Sequence, residues 1–129
     1  MAENQPILAK GIHASDDEVK AAFDAGATHV LVVGRIPEYC SMSCLIEPYT
    51  VEELRRIPAA YRAVWNDRDL RLLYQPENSK TETWEQARAA FGRNWLCQAS
   101  NLRTIADIKP GASAVLVGTR LIGFVQSLR

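Results

Sequence analysis

Several short apolar runs in this chain stop at a residue that can bind or move a proton. Ile7-Leu8-Ala9 stops at Lys10, Leu45-Ile46 at Glu47, and Val64-Trp65 at Asn66, with Arg68 close behind. Leu96-Cys97 leads to Ser100 and Asn101, and Ala114-Val115-Leu116-Val117 leads to Gly118 and Thr119. In a parallel α/β protein the residues just past a strand point at the face where ligands bind. A lysine, a glutamate, an amide and an arginine at separate strand ends suit an anionic substrate.

The elements that would position these groups are legible in the pattern. The runs above, together with Val30-Leu31-Val32-Val33, are apolar throughout, as strands buried on both faces are. Between them lie helix signals. Ser15 with Glu18 and Thr50 with Glu53 have capping-box spacing. Trp84, Ala87 and Phe91 share a helical face, Ile105 and Ile108 precede Pro110-Gly111, and Leu121, Ile122, Val125 and Leu128 form a last amphipathic set. Six strand–helix units predict a parallel sheet in an incomplete (β/α) TIM-type barrel, with a rearranged open parallel sheet as the alternative. Gly26-Ala27-Thr28-His29-Val30-Leu31-Val32-Val33-Gly34-Arg35 parallels Gly111-Ala112-Ser113-Ala114-Val115-Leu116-Val117-Gly118-Thr119-Arg120, as counterpart strands in the two halves of a barrel would. One polar connection, Arg71 to Thr81, follows a strand and belongs to the ligand-binding face. Nothing else is linker-like, so residues 1–129 read as one domain.

Five segments carry a family resemblance. Pro6-Ile7-Leu8-Ala9-Lys10, Ala25 through Val32, Glu47 with Thr50 through Leu54, Asn66-Asp67-Arg68-Asp69-Leu70, and Gly111 through Gly118 occur in that order. They resemble strands three to eight of indole-3-glycerol-phosphate synthase, a TIM-barrel enzyme of tryptophan biosynthesis. The resemblance implies a carbon–carbon lyase scaffold in which Lys10 is the general acid and Glu47 its acid/base partner. Asn66 and Arg68 would hold and orient the substrate. Ser100, Asn101, Gly118 and Thr119 would take the phosphate, as small residues and backbone N–H groups after the last two barrel strands do. A lysine and a carboxylate facing one cavity can be tuned to transfer protons. The family's first-strand glutamate and second catalytic lysine have no counterpart here, Ala99 stands in the seventh-strand glutamate slot, and Gly11 replaces an aspartate. The expectation is a protein that binds a phosphorylated anthranilate-sugar type ligand with little turnover. The alternative is a non-catalytic binding or interaction protein that homo-oligomerises through its sheet edges, or docks a partner that completes the barrel. An eight-unit barrel takes about 250 residues, and this chain has 129.

Composition narrows the partners. Fifteen basic residues balance fifteen acidic ones, which removes the general phosphate attraction of nucleic-acid binders. No apolar stretch approaches the roughly 20 residues of a membrane span. Three cysteines, an odd number, fit a reducing cytoplasm better than a disulfide framework. Cys40 and Cys44 have a spacing that zinc uses, but with Cys97 and two histidines they do not read as a metal site, and no cofactor is implied. A disulfide between Cys40 and Cys44 would fit the loop. His13 follows the Lys10 strand end and His29 opens a buried strand. Tyr39, Tyr49 and Tyr74 lie in loops on the ligand face, where one could cover a ring.

Overall fold

The computed structural model describes residues 5–66, 82–118 and 120–128. Six strands run in chain order across one sheet: β1 (Leu8–Ala9), β2 (His29–Val33), β3 (Cys44–Glu47), β4 (Arg62–Asn66), β5 (Leu96–Ala99) and β6 (Ala114–Leu116). Every neighbouring pair is parallel, and the sheet curls into a half-barrel. The incomplete (β/α) barrel expected from the sequence is therefore the fold, with β1 and β6 at its two edges.

Four α-helices flank the sheet: α1 (Asp16–Asp24), α2 (Val51–Arg55), α3 (Trp84–Ala90) and α4 (Leu121–Gln126). The capping box that opens α1 is formed, with the Ser15 hydroxyl accepting from Glu18 N–H at 3.3 Å and Glu18 returning the bond to Ser15 N–H. Thr83 and Gln86 make the same reciprocal cap for α3. After β5 the expected helix is replaced by a 3-10 turn at Ile105–Asp107, and the loop after β2 carries another at Ser41–Ser43. Pro110 and Gly111 leave Ile105 and Ile108 too few residues for a full helix before β6.

Strand residues alternate between two layers, because side chains leave a strand on opposite faces. The outer layer packs beneath the helices in two clusters. Val30, Val32 and Cys44 meet Val19 of α1, and Ile46, Ala63, Trp65 and Leu96 meet Leu54, Trp84, Ala87 and Phe91. Every one of these is nearly or wholly removed from water, and each such side chain contributes roughly 1.5–3 kcal/mol for the larger ones. The inner layer is smaller. Leu31, Val64, Cys97 and Ala99 are buried there, with Leu8, Val33, Leu45, Ala114 and Leu116 packed against them.

The last helix differs from its sequence pattern. Leu121, Ile122, Val125 and Leu128, the apolar set read from spacing, are exposed at 51%, 76%, 44% and 60%, and Phe124 is the buried residue of α4. The face that spacing picks out has no sheet beneath it among the described residues. No described helix is long and apolar enough to cross a membrane.

Candidate functional site

The carboxyl ends of the strands open into a cavity of about 520 Å³. Lys10, Glu47, Asn66, Ser100, Asn101 and Gly118, all named from the sequence, line it. Arg68 and Thr119 lie outside the described residues, as do Tyr74 and the Arg71–Thr81 connection. The alternation of the strands explains the convergence. Glu47 follows Leu45 on the inner face of β3, and Asn66 follows Val64 on the inner face of β4.

Depth separates the lining groups. Glu47 and Asn66 are 3% and 6% exposed, so they form the floor, whereas Lys10 is at the exposed rim. Register holds the floor in place: Val33 pairs with Glu47, Asn66 pairs with Ala99, and Gly34 N–H donates to the Glu47 carbonyl at 2.8 Å. Lys10, from the first strand, reaches across the opening toward the last. A Cβ at Gly118 would lie 3.9 Å from Lys10 Nζ, ordinary van der Waals contact, which marks how near the ammonium group comes to the end of β6.

Ser100 and Asn101 leave β5 with φ of 69° and 59°, both left-handed. Asparagine is among the few non-glycine residues that enter that region readily. The turn brings both residues to the cavity wall. Ala99, in the slot where the resembling family has a glutamate, faces the cavity and offers no acid. Gln98 points to the outer layer, where its amide donates to Asp107 O at 2.9 Å and accepts from Lys109 N–H at 2.8 Å.

Of the two described loop tyrosines named from the sequence, Tyr49 reaches the cavity. Its backbone N–H donates to the Glu53 carboxylate at 2.5 Å, so Glu53 reaches past the Thr50 cap and fixes the tyrosine instead. The ring lies over Gly34 (φ 79°), where an added Cβ would meet Tyr49 Cε2 at 2.7 Å. Tyr39 instead packs on Phe23, with ring centroids 6.3 Å apart, in the outer layer. His13 is also structural: its Nδ1 lies 2.6 Å from the Leu31 carbonyl, a bond in which the ring nitrogen must donate.

No protein-family model, curated protein or solved structure matches this chain. The chemistry of the site therefore rests on its own residues. Cys97, beneath the floor, is an inert thiol: burial, with the Glu47 charge second, pushes its pKa up to about 12. Burial likewise pushes Cys44 up to about 11, and Cys40, Cys44 and Cys97 are all free thiols. Among the described residues no three His, Cys, Asp or Glu side chains gather as metal ligands would.

Two cavity residues escaped the sequence reading, Arg103 and Arg120. Each stands two residues beyond a group that was named, Asn101 and Gly118, in loops where no periodicity assigns a direction. Together with Lys10 they give the rim three cations, and none of the three is ion-paired among the described residues.

Proposed function

We propose that this chain is an indole-3-glycerol-phosphate synthase-like protein that binds a phosphorylated anthranilate-sugar type ligand in the half-barrel cavity. The supporting observation is the meeting of Lys10, Glu47, Asn66, Ser100, Asn101 and Gly118 at one opening, drawn from five strand ends. The cavity volume of about 520 Å³ is in the ordinary range for a small-molecule site. Ser100, Asn101, Gly118 and Thr119 take the phosphate, and Asn66 and Arg68 orient the rest of the ligand. Lys10 at the rim serves as general acid and Glu47 on the floor as its acid/base partner. Arg68 and Thr119 enter this assignment through the family resemblance alone. With Ala99 in place of an acid, the described residues offer one lysine and one carboxylate for a reaction that needs several proton transfers. Binding with slow or absent lyase turnover is the outcome this supports.

Titration with carboxyphenylamino-deoxyribulose phosphate tests it, using tryptophan fluorescence for binding and indole fluorescence for turnover. Saturable quenching that is lost in Gly118→Glu supports the reading. Absence of saturable binding overturns it.

The edges of the sheet favour a second property of the same molecule, self-association. Leu121, Ile122, Val125 and Leu128 are exposed on the helix after β6, and Ile7 and Ile12 are exposed beside β1. Unpaired parallel edges flanked by apolar side chains favour coverage by another chain, and a second copy offers β1 to β6. Light scattering across a wide concentration range tests this: mass should rise with concentration, and Ile122→Lys with Val125→Lys should hold it at the monomer. A monomer throughout overturns edge pairing.

A further inference from the structure

We propose that Arg103 and Arg120 form a clamp for the doubly charged phosphate of a monoester, held over the Ser100–Asn101 turn. The proposal rests on the binding reading above and adds what grips the anion. Both arginines line the cavity with Ser100, Asn101 and Gly118. Among the described residues neither guanidinium makes a hydrogen bond or close ion pair, Arg103 sensing only the charge of Asp107, whereas Arg35 bonds Asp16, Arg55 and Arg56 face Glu52, and Arg88 holds three backbone carbonyls.

Their backbones, by contrast, are fixed. The Asp107 carboxylate accepts the N–H groups of Arg103 and Thr104 at 2.9 and 3.0 Å. Gln98 ties the far end of the same turn to β5. Ile105 N–H donates to Ser127 Oγ at 3.0 Å, which joins this turn to the end of α4, the helix that Arg120 precedes. Two loops carrying one arginine each are thus cross-linked, and the side chains remain available. A guanidinium pair anchored in this way matches the planar, two-pronged donor pattern that phosphate oxygens accept.

Charge points to a dianion. Among the described residues the cavity lining carries Lys10, Arg103 and Arg120 against the carboxylate of Glu47, with Asp107 within electrostatic reach of Arg103, a positive surplus in a chain whose formal net charge is zero. That surplus is local, so attraction to the ligand does not depend on the field of the whole molecule. A phosphate monoester reaches its second charge around pH 6, and a diester never does. The site should therefore prefer monoesters, and bind them better at pH 7.5 than at pH 5 by about the same margin.

Glycerol phosphate is the probe, titrated calorimetrically into the full chain, with dimethyl phosphate as the singly charged comparison. Arg103→Gln and Arg120→Gln should each weaken glycerol phosphate by about tenfold or more, the loss of one charge-assisted hydrogen-bonding group. Dimethyl phosphate should bind far less tightly to the parent chain, and Arg93→Gln, away from the cavity, should change nothing. Circular dichroism confirms that each variant is folded. If glycerol phosphate binds, Gly118→Glu abolishes it and both arginine variants bind as before, the clamp is overturned and the cavity reading stands. Equal affinity for monoester and diester also overturns the clamp. If neither glycerol phosphate nor the larger phosphorylated ligand binds, both readings fall.

Discussion

The half-barrel has polar inward-facing residues at both of its ends, and the two sets are in opposite states. At the amino ends of the strands, Arg62 lies 5.6 Å from the centre of the Trp95 ring and 3.3 Å from His29 Nε2. A guanidinium can only donate, so Nε2 accepts, and the neutral ring then carries its proton on Nδ1. That nitrogen is 2.9 Å from Thr28 Oγ1, which donates to the Ile7 carbonyl and accepts the Ile7 N–H. Each donor along this chain meets an acceptor. At the carboxyl ends, Lys10, Arg103 and Arg120 stand round an open cavity with no ion-pair partner among the described residues. Polarity at a strand end is thus no sign of function by itself. The sign is cations held in place without a hydrogen-bond or ion-pair partner, and among the described residues Lys10, Arg103 and Arg120 at the carboxyl end have that.

The apolar inner layer of Leu31, Val64 and Cys97 separates the two ends. The largest expected effect comes from breaking it. Val64 is wholly buried, and Val64→Asp would place a charge there with no partner designed to meet it. The loss should be on the order of 4 kcal/mol or more, enough to unfold a typical domain. Urea unfolding followed by tryptophan fluorescence should find no cooperative transition. A folded variant with a normal midpoint would mean that the ends are not held apart by this layer.

A smaller change should separate the ends cleanly. Arg62→Ala removes one exposed cation–π contact and one hydrogen bond, costing about 1–2 kcal/mol of stability. It should leave affinity for phosphorylated ligands untouched, because Arg62 lies at the opposite end of the strands. Arg103→Gln should do the reverse, weakening ligand binding with an unchanged urea midpoint. If Arg62→Ala weakens binding as much as Arg103→Gln does, the division of the molecule into a structural and a functional end fails.

Much of this was legible in the chain. Strands covered on both faces must be apolar throughout, so a single polar residue at the inner position stands out: Lys10 after Leu8, Glu47 after Leu45, Asn66 after Val64. Arg103 and Arg120 were not legible, since loop residues carry no period to say where they point. The internal likeness would even have misled. Arg35 and Arg120 occupy matching places after Val-rich runs, yet Arg35 closes on Asp16 at 2.8 Å and on the His13 carbonyl, fixing the loop that follows β1. Only the presence of α1 beside one arginine, and of an open cavity beside the other, distinguishes them. The apolar face of α4 was visible in its spacing, but spacing cannot show whether anything lies against it.

The smallest effect concerns the boundary between floor and core. Cys97 is raised from 9.0 to about 12, first by burial and then by the Glu47 charge. A thiol whose pKa is higher folded than unfolded binds its proton more tightly in the folded state. It contributes stability that is complete below about pH 9 and is lost as pH rises toward 12. Glu47→Gln removes the second cause and leaves the first, so the Cys97 pKa should fall while remaining well above 9.0. Cβ-labelled cysteine followed by NMR through an alkaline titration reads this directly, with Cys40→Ser removing the exposed thiol. Stability above pH 9 should decline over a lower, narrower range in the variant, with little change at neutral pH. No movement of the Cys97 titration would mean that the Glu47 carboxylate is turned away from the core. It would then face only the cavity, which would strengthen its assignment as the acid/base group and leave burial as the sole cause of the inert thiol.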